Sequence, residues 1–194
     1  MSGNEADMGT NTLTRSAAVD EIVRRESARL SPEEAESRLL DFWGLDEYGP
    51  GVAALPEELR SQFRELDSPP PLDLKFHLPL IELGLRSGYL GVLNEYLEKR
   101  LLAETGCPHA VTGDIEPMQP CPCCGYKCLR ARGDYEICSV CFWEDDGFRE
   151  LEEHSPPNGM SLEEAKRNFE AVGCFDARYL PHLESDRMER FPRG

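Results

Sequence analysis

Cys121 and Cys124 form one Cys-x-x-Cys pair and Cys138 and Cys141 a second, with thirteen residues between them. Four soft thiolates in that arrangement suit one tetrahedral Zn2+, because two sulfurs spaced by two residues reach the same ion from one tight turn. Gly125, just after the first pair, permits the bend that aims backbone amides at sulfur. With all four positions filled by protein there is no room for substrate or catalytic water, so the site reads as structural. Cys123 and Cys128 are alternative ligands in a shifted register. A thioredoxin-like redox pair would require a βαβ context that the pattern lacks. Cys107 with His109, His154 and Cys174 could be imagined as a second metal site, but their spacing supports nothing definite, and isolated cysteines usually pack as small apolar groups.

Beyond the ligands, Phe142-Trp143 followed by Glu144-Asp145-Asp146-Gly147 is the segment whose residue types could do most. Aromatic side chains beside a knuckle exclude water from it, and the acids fit a solvated turn, a hard-cation site, an acid and base pair, or a face for a basic partner. Glu150, Glu152 and Glu153 continue the acidic run and favour the partner face, made of Phe142, Trp143, Glu144, Asp145 and Asp146. No catalytic constellation accompanies them.

Elements that position these groups follow from the local pattern. Tyr126, Cys128 and Arg130 alternate with Lys127 and Leu129; Arg132-Gly133-Asp134 makes a turn; Tyr135 to Ile137 return, predicting a hairpin that joins the two knuckles into a zinc ribbon. Asn158-Gly159 predicts another turn. Ser161 and Glu164 then cap a helix whose face of Leu162, Ala165, Phe169 and Val172 is closed by Gly173 and packs on the cysteine module.

Upstream the period changes to that of helices. Ala18, Ile22, Val23, Ser27 and Leu30 make one stripe from about Arg15, and Ser31-Pro32-Glu33-Glu34 opens a second helix, with Leu39, Leu40, Phe42 and Trp43 as core and Gly44 as its stop. Leu55-Pro56-Glu57-Glu58 opens a third, ending near Leu66. Ser68-Pro69-Pro70-Pro71 is an extended connector, and Leu78 to Arg86 and Tyr89 to Leu102 are helical with a break near Gly88. The fold class is therefore α+β, mostly α: a disordered arm over 1–12, an all-α domain over 13–106, and a small four-cysteine zinc ribbon with a packed C-terminal helix and tail over 107–194.

The 194 residues carry 37 acids against 21 bases, a net charge of −16, spread over both halves. Such a surface repels phosphate backbones and attracts basic proteins. Lys127, Arg130 and Arg132 form the one small basic patch. No window approaches the roughly 18 consecutive apolar residues of a membrane span, and no basic-then-apolar leader opens the chain. Cytoplasmic residence is expected, where thiols stay available for metal.

The strings CPCCGYK, RGDYEIC, VCFWEDDG and NGMSLEEAKRNFEAVG resemble the bacterial cysteine-rich CPCC family over about Pro120 to Phe175. Cys128 and Ser139 stand where the family pattern leads one to expect Thr and Pro, and neither touches the four ligands. Upstream, SPEEAESRLLDFWGLDE, LPEEL and GVLNEYLEKRL are similar to the helical region of longer relatives. The resemblance implies an immunity protein that neutralises a cognate toxin by direct binding; the acidic charge points to a basic toxin rather than nucleic acid, no membrane partner is expected, and no enzymatic role is expected without a catalytic constellation. A regulatory or nucleic-acid-binding zinc ribbon is the alternative. An enzyme using the acidic loop or a reactive Cys123 is the third.

Overall fold

A computed structural model describes residues 11–43 and 51–194. It is α+β and mostly α, and divides into two compact units. The first comprises the described residues up to Tyr89 together with Leu97–Gly113; the second comprises Leu90–Tyr96 and Asp114–Gly194.

The first unit opens with strand β1 (Asn11–Thr14), which pairs in parallel with β2 (His109–Thr112). Asn11 and Thr12 are thus extended and paired where an unpatterned arm is expected; residues 1–10 lie outside the described part. Thr14 caps helix α1 (Arg15–Ser27) by accepting from the Ala17 amide, and α1 buries Ala18, Ile22, Val23 and Ser27 of the predicted stripe together with Val19. At α2 (Pro32–Trp43) both halves of the capping box form: the Glu34 amide donates to Ser31 Oγ at 3.2 Å and the Ser31 amide to Glu34 Oε2 at 2.8 Å. Gly44, its expected stop, lies outside the described residues.

Helix α3 covers Glu57–Glu65 and α4 covers Leu74–Ser87. The Asp73 side chain caps α4 by accepting from the Phe76 amide, so the helix begins four residues before the predicted Leu78 and accommodates Pro79 in its second turn. The expected helix from Tyr89 also shifts: Gly91 takes a positive φ of 72°, and α5 runs over Asn94–Thr105.

Ala35, Leu39, Trp43, Val52, Leu55, Leu59, Leu80 and Ile81 form one apolar core, with the indole of Trp43 donating to the Leu66 carbonyl at 3.1 Å. Gly84 lets α4 approach the Phe42 ring of α2, since a Cβ there would sit 2.1 Å from the ring. Polar ties complete the unit. Glu26 accepts from Tyr89 at 2.5 Å and from Arg100, while Arg29 holds Glu104.

The second unit has little regular structure: two short hairpins, β3 (Gln119–Pro120) with β4 (Lys127–Leu129) and β5 (His154–Ser155) with β6 (Met160–Ser161), then α6 (Leu162–Val172) and α7 (Arg187–Arg190). Ser161 caps α6 by accepting from the Glu164 amide, and Gly173 closes it at φ 74°. Leu162, Ala165 and Phe169 are the buried face, as predicted, whereas Val172 is 45% exposed. Among the described residues no helix is long and apolar enough to cross a membrane.

Candidate metal centre

The two Cys-x-x-Cys pairs make matching turns. In the first, the Gly125 amide donates to the Cys121 carbonyl at 2.9 Å; in the second, the Phe142 amide donates to the Cys138 carbonyl at 2.8 Å. Each turn exits through a left-handed residue, Gly125 at φ 79° and Phe142 at φ 70°. Glycine adopts that conformation freely, while a phenylalanine carries steric strain of about 1 kcal/mol or more. Phe142 is compensated by its ring, which stacks on Tyr179 with centroids 4.6 Å apart and planes at 14°.

Each turn closes its own antiparallel pairing. Gln119 and Pro120 face Leu129 and Lys127 across the first; Cys138 to Trp143, Asp145 to Glu136 and Tyr135 to Asp145 are backbone hydrogen bonds across the second. The strands expected to pair with each other between the knuckles therefore pair with the outer flank of their own knuckle. The reason lies in where backbone groups find partners: the tight turns already bring those flanks together, while Arg130 to Asp134 span the gap as irregular chain, tied by the Arg130 amide to Glu136 Oε2 at 2.7 Å.

The turns bring the sulfurs of Cys121, Cys124, Cys138 and Cys141 within 4.8 Å of one another, all buried. Cys121 Sγ lies 3.7 Å from Cys141 Sγ and Cys124 Sγ 3.6 Å from Cys138 Sγ. A tetrahedral ion with metal–sulfur bonds of about 2.3 Å has sulfur–sulfur edges of about 3.8 Å, so these contacts match the edges of such a site. The Cys141 amide points at Cys138 Sγ from 3.4 Å, as expected of a knuckle. The four cysteines could hold a metal ion, and an all-thiolate tetrahedron is consistent with zinc.

Packed together, the thiols shift one another in opposite directions. Burial would push the Cys138 thiol up, but hydrogen bonds with the Cys121, Cys124, Cys128 and Cys141 thiols outweigh it and hold Cys138 well below the usual thiol range. Its neighbours move the other way. Cys124 is raised through hydrogen bonds with Cys121 and Cys138, Cys128 through its hydrogen bond to Cys138, and Cys141 chiefly through burial. A divalent cation would remove this competition by stabilising every thiolate at once.

The chain around the cluster locks both turns. The Phe175 amide and the Cys174 thiol both donate to the Cys141 carbonyl, at 3.0 and 3.3 Å, and Arg187 Nε donates to the Val140 carbonyl at 2.9 Å. Residues Pro192 to Gly194 line the first turn: the Lys127 amide donates to the Pro192 carbonyl, the Gly194 amide to the Gly125 carbonyl, and Arg193 Nε to the Cys124 carbonyl at 3.2 Å. The guanidinium of Arg193 also covers the rings of Tyr126 and Phe169. Sequence reasoning missed Phe175, Tyr179, Arg187 and Arg193, because tertiary contacts of single residues in a region without periodicity leave no local signal.

The acidic segment is placed differently from expectation. Trp143 and Asp145 are completely buried, so neither belongs to a partner-facing edge. The Asp145 carboxylate accepts from Arg132 Nε at 2.6 Å and from the Gly133 amide at 2.9 Å, and so fastens the second knuckle to the linking chain. Asp146 accepts from Ser155 at 2.5 Å, and Asn158 clamps the Glu144 backbone through both its amide atoms. Phe142 and Glu144 are half-buried; Glu150, Glu152 and Glu153 are exposed.

Of the other cysteines, Cys123 and Cys128 are buried beside the cluster, and Cys128 Sγ touches Cys138 Sγ at 3.3 Å. Cys107 and His109 lie in the first unit, Cys174 and His154 in the second. Cys107 and His109 line a cleft of about 710 Å3 with Glu21 and Arg25. There His109 Nδ1 faces the Cys107 carbonyl, and Arg24 and Arg25 hydrogen-bond to Glu21 and hold it below its usual pKa, so no nucleophile and base are paired. Among the described residues, the four knuckle cysteines are the group of three or more placed to share a metal.

Comparison with known proteins agrees with this geometry in the second unit. No curated protein and no solved structure matches the chain. Residues 119–189 match the family model described as cysteine-rich CPCC, a stretch that contains all four candidate ligands and α6, so over that stretch the chain is similar to a cysteine-rich CPCC module.

Proposed function

We propose that this is a zinc-stapled binding protein, in which Cys121, Cys124, Cys138 and Cys141 hold one structural Zn2+ and the folded surface recognises a basic protein partner. The closed, buried cluster of four thiols carries the reading: once an ion fills it, no coordination position remains for substrate, and its contribution is folding free energy. The enclosing hydrogen bonds from Cys174, Phe175, Arg187 and Arg193 serve the same end, fixing the turns rather than opening a path to the metal. The role assigned is that of a cytoplasmic immunity protein, which blocks a cognate toxin by occupying it.

Charge supports a basic partner: −16 over 194 residues gives long-range attraction to cationic surfaces. The exposed Glu150, Glu152 and Glu153 beside the knuckle supply the acidic face in place of the buried Asp145. Nucleic-acid binding is the weaker reading. Two of the three cations in the expected basic patch are committed internally, Arg132 to the buried Asp145 and Arg130 to Glu136.

Co-expression with a toxin encoded beside this chain tests the role. Rescue of growth, together with a stoichiometric complex that weakens with added salt, is the expected result. Toxicity unchanged and no complex would overturn the immunity reading while leaving the zinc assignment standing.

A further inference from the structure

The four proposed ligands do not account for Cys128. Its Sγ lies 3.3 Å from Cys138 Sγ, closer than the 3.6 and 3.7 Å contacts within the ligand set. It is carried by strand β4, on the flank of the first knuckle, while Cys138 opens the second. A spare thiol in contact with a ligand sulfur is placed to capture that sulfur once peroxide has oxidised it.

We infer that Cys128 and Cys138 form a redox modification site, at which hydrogen peroxide converts the pair to a disulfide and withdraws Cys138 from the metal. This rests on the zinc reading above. The O–O bond of peroxide breaks, the Cys138 thiolate sulfur takes one hydroxyl as a sulfenic acid, and the other oxygen leaves as hydroxide. The Cys128 thiol then attacks the Cys138 sulfur, the S–O bond breaks, and the hydroxyl departs with the thiol proton as water. Two electrons pass from the two sulfurs to the peroxide, and a disulfide reducible by small thiols remains.

The consequence is local and reversible. Losing Cys138 leaves three thiolates for the ion and covalently joins the two knuckles, so oxidation exchanges a metal staple for a disulfide across the same pair of turns. Cys123, the other non-ligand thiol beside the first knuckle, is the internal rival, as are the disulfides within each Cys-x-x-Cys pair.

The test treats the full-length, zinc-loaded chain with hydrogen peroxide, follows zinc with a chromogenic chelator, and maps disulfides by mass spectrometry after alkylation. Zinc release accompanied by a Cys128–Cys138 disulfide is expected, with recovery on reduction and zinc reloading. Cys128→Ser and Cys128→Ala should bind zinc as the parent does but, after peroxide and reduction, should recover about tenfold less zinc binding, because a Cys138 sulfenic acid without its resolving thiol is oxidised further. Equal recovery of parent and variants, or disulfides confined to Cys121–Cys124, Cys138–Cys141 or a Cys123 pairing, would overturn the inference. Protein that purifies without zinc would defeat the zinc reading alone, because disulfide mapping still decides whether Cys128 and Cys138 pair.

Discussion

Each unit of this chain buries one tryptophan, and the surroundings of the two differ. Trp43 sits among Leu39, Val52, Leu55, Leu59, Leu80 and Ile81, with its indole nitrogen satisfied by the Leu66 carbonyl. Trp143 packs edge-on against Phe175, in a unit whose strands have two or three residues and whose longest helix has eleven. The first unit can be held by apolar area removed from water. The second has too little regular structure to close its core in that way and brings four sulfurs together instead, which is the situation in which a metal supplies folding free energy.

The comparison can be broken most severely at the thiols. Cys138→Ser, or a strong chelator, should remove free energy on the order of 10 kcal/mol from the second unit and unfold it. Trp143 emission should shift to the red in a Trp43→Phe background, while Trp43 emission in a Trp143→Phe background stays in place. A joint shift of both would show that the two units do not differ in what holds them.

Asp145→Ala should cost the second unit about 3 to 5 kcal/mol, since it strands the Arg132 guanidinium and the Gly133 amide without their buried partner. Denaturant unfolding followed through Trp143 reads this directly. Leu80→Ala is the counterpart in the first unit, at about 2 to 5 kcal/mol for a fully buried leucine, with metal content unchanged.

A smaller effect separates the two knuckles. Phe142→Ala keeps a side chain in the left-handed region and loses the stack on Tyr179, whereas Phe142→Gly loses the stack but relieves the backbone. The glycine variant should be the more stable of the two by about 1 kcal/mol, measured as a difference in thermal midpoint.

Smallest is a pH effect confined to the first unit. Burial, partly opposed by the neighbouring Asp73, pushes the His77 pKa below its ordinary 6.5. The unfolded chain therefore binds the proton first as pH falls. Stability is fully present above pH 6.5 and declines below it, by no more than about 1.4 kcal/mol per pH unit. His77→Gln should flatten the dependence of the Trp43 transition between pH 7.5 and 5.5.

How much of this was legible in the sequence follows from the range of each interaction. Local rules placed the Ser31 and Ser161 caps, the Gly173 stop and the four knuckle cysteines, because each depends on residues within a few positions of one another. Helix α4 starts earlier than its pattern suggests, because the Asp73 side chain caps it. The strand formed by Asn11–Thr14 was invisible for another reason: its partner is His109–Thr112, nearly a hundred residues away. The acidic loop was misread on the same ground. Charge predicts exposure, and it is Arg132 and the Gly133 amide, brought in from the linking chain, that make it possible to bury Asp145 completely.

The central claim is that four thiols hold one zinc and that this ion folds the second unit. Its most direct test is metal analysis of freshly purified, reduced protein by elemental mass spectrometry, paired with Trp143 emission during chelation. The account predicts one zinc per chain, lost in step with the Trp143 signal. Folded, reduced protein carrying no metal, with Trp143 still buried, would contradict it.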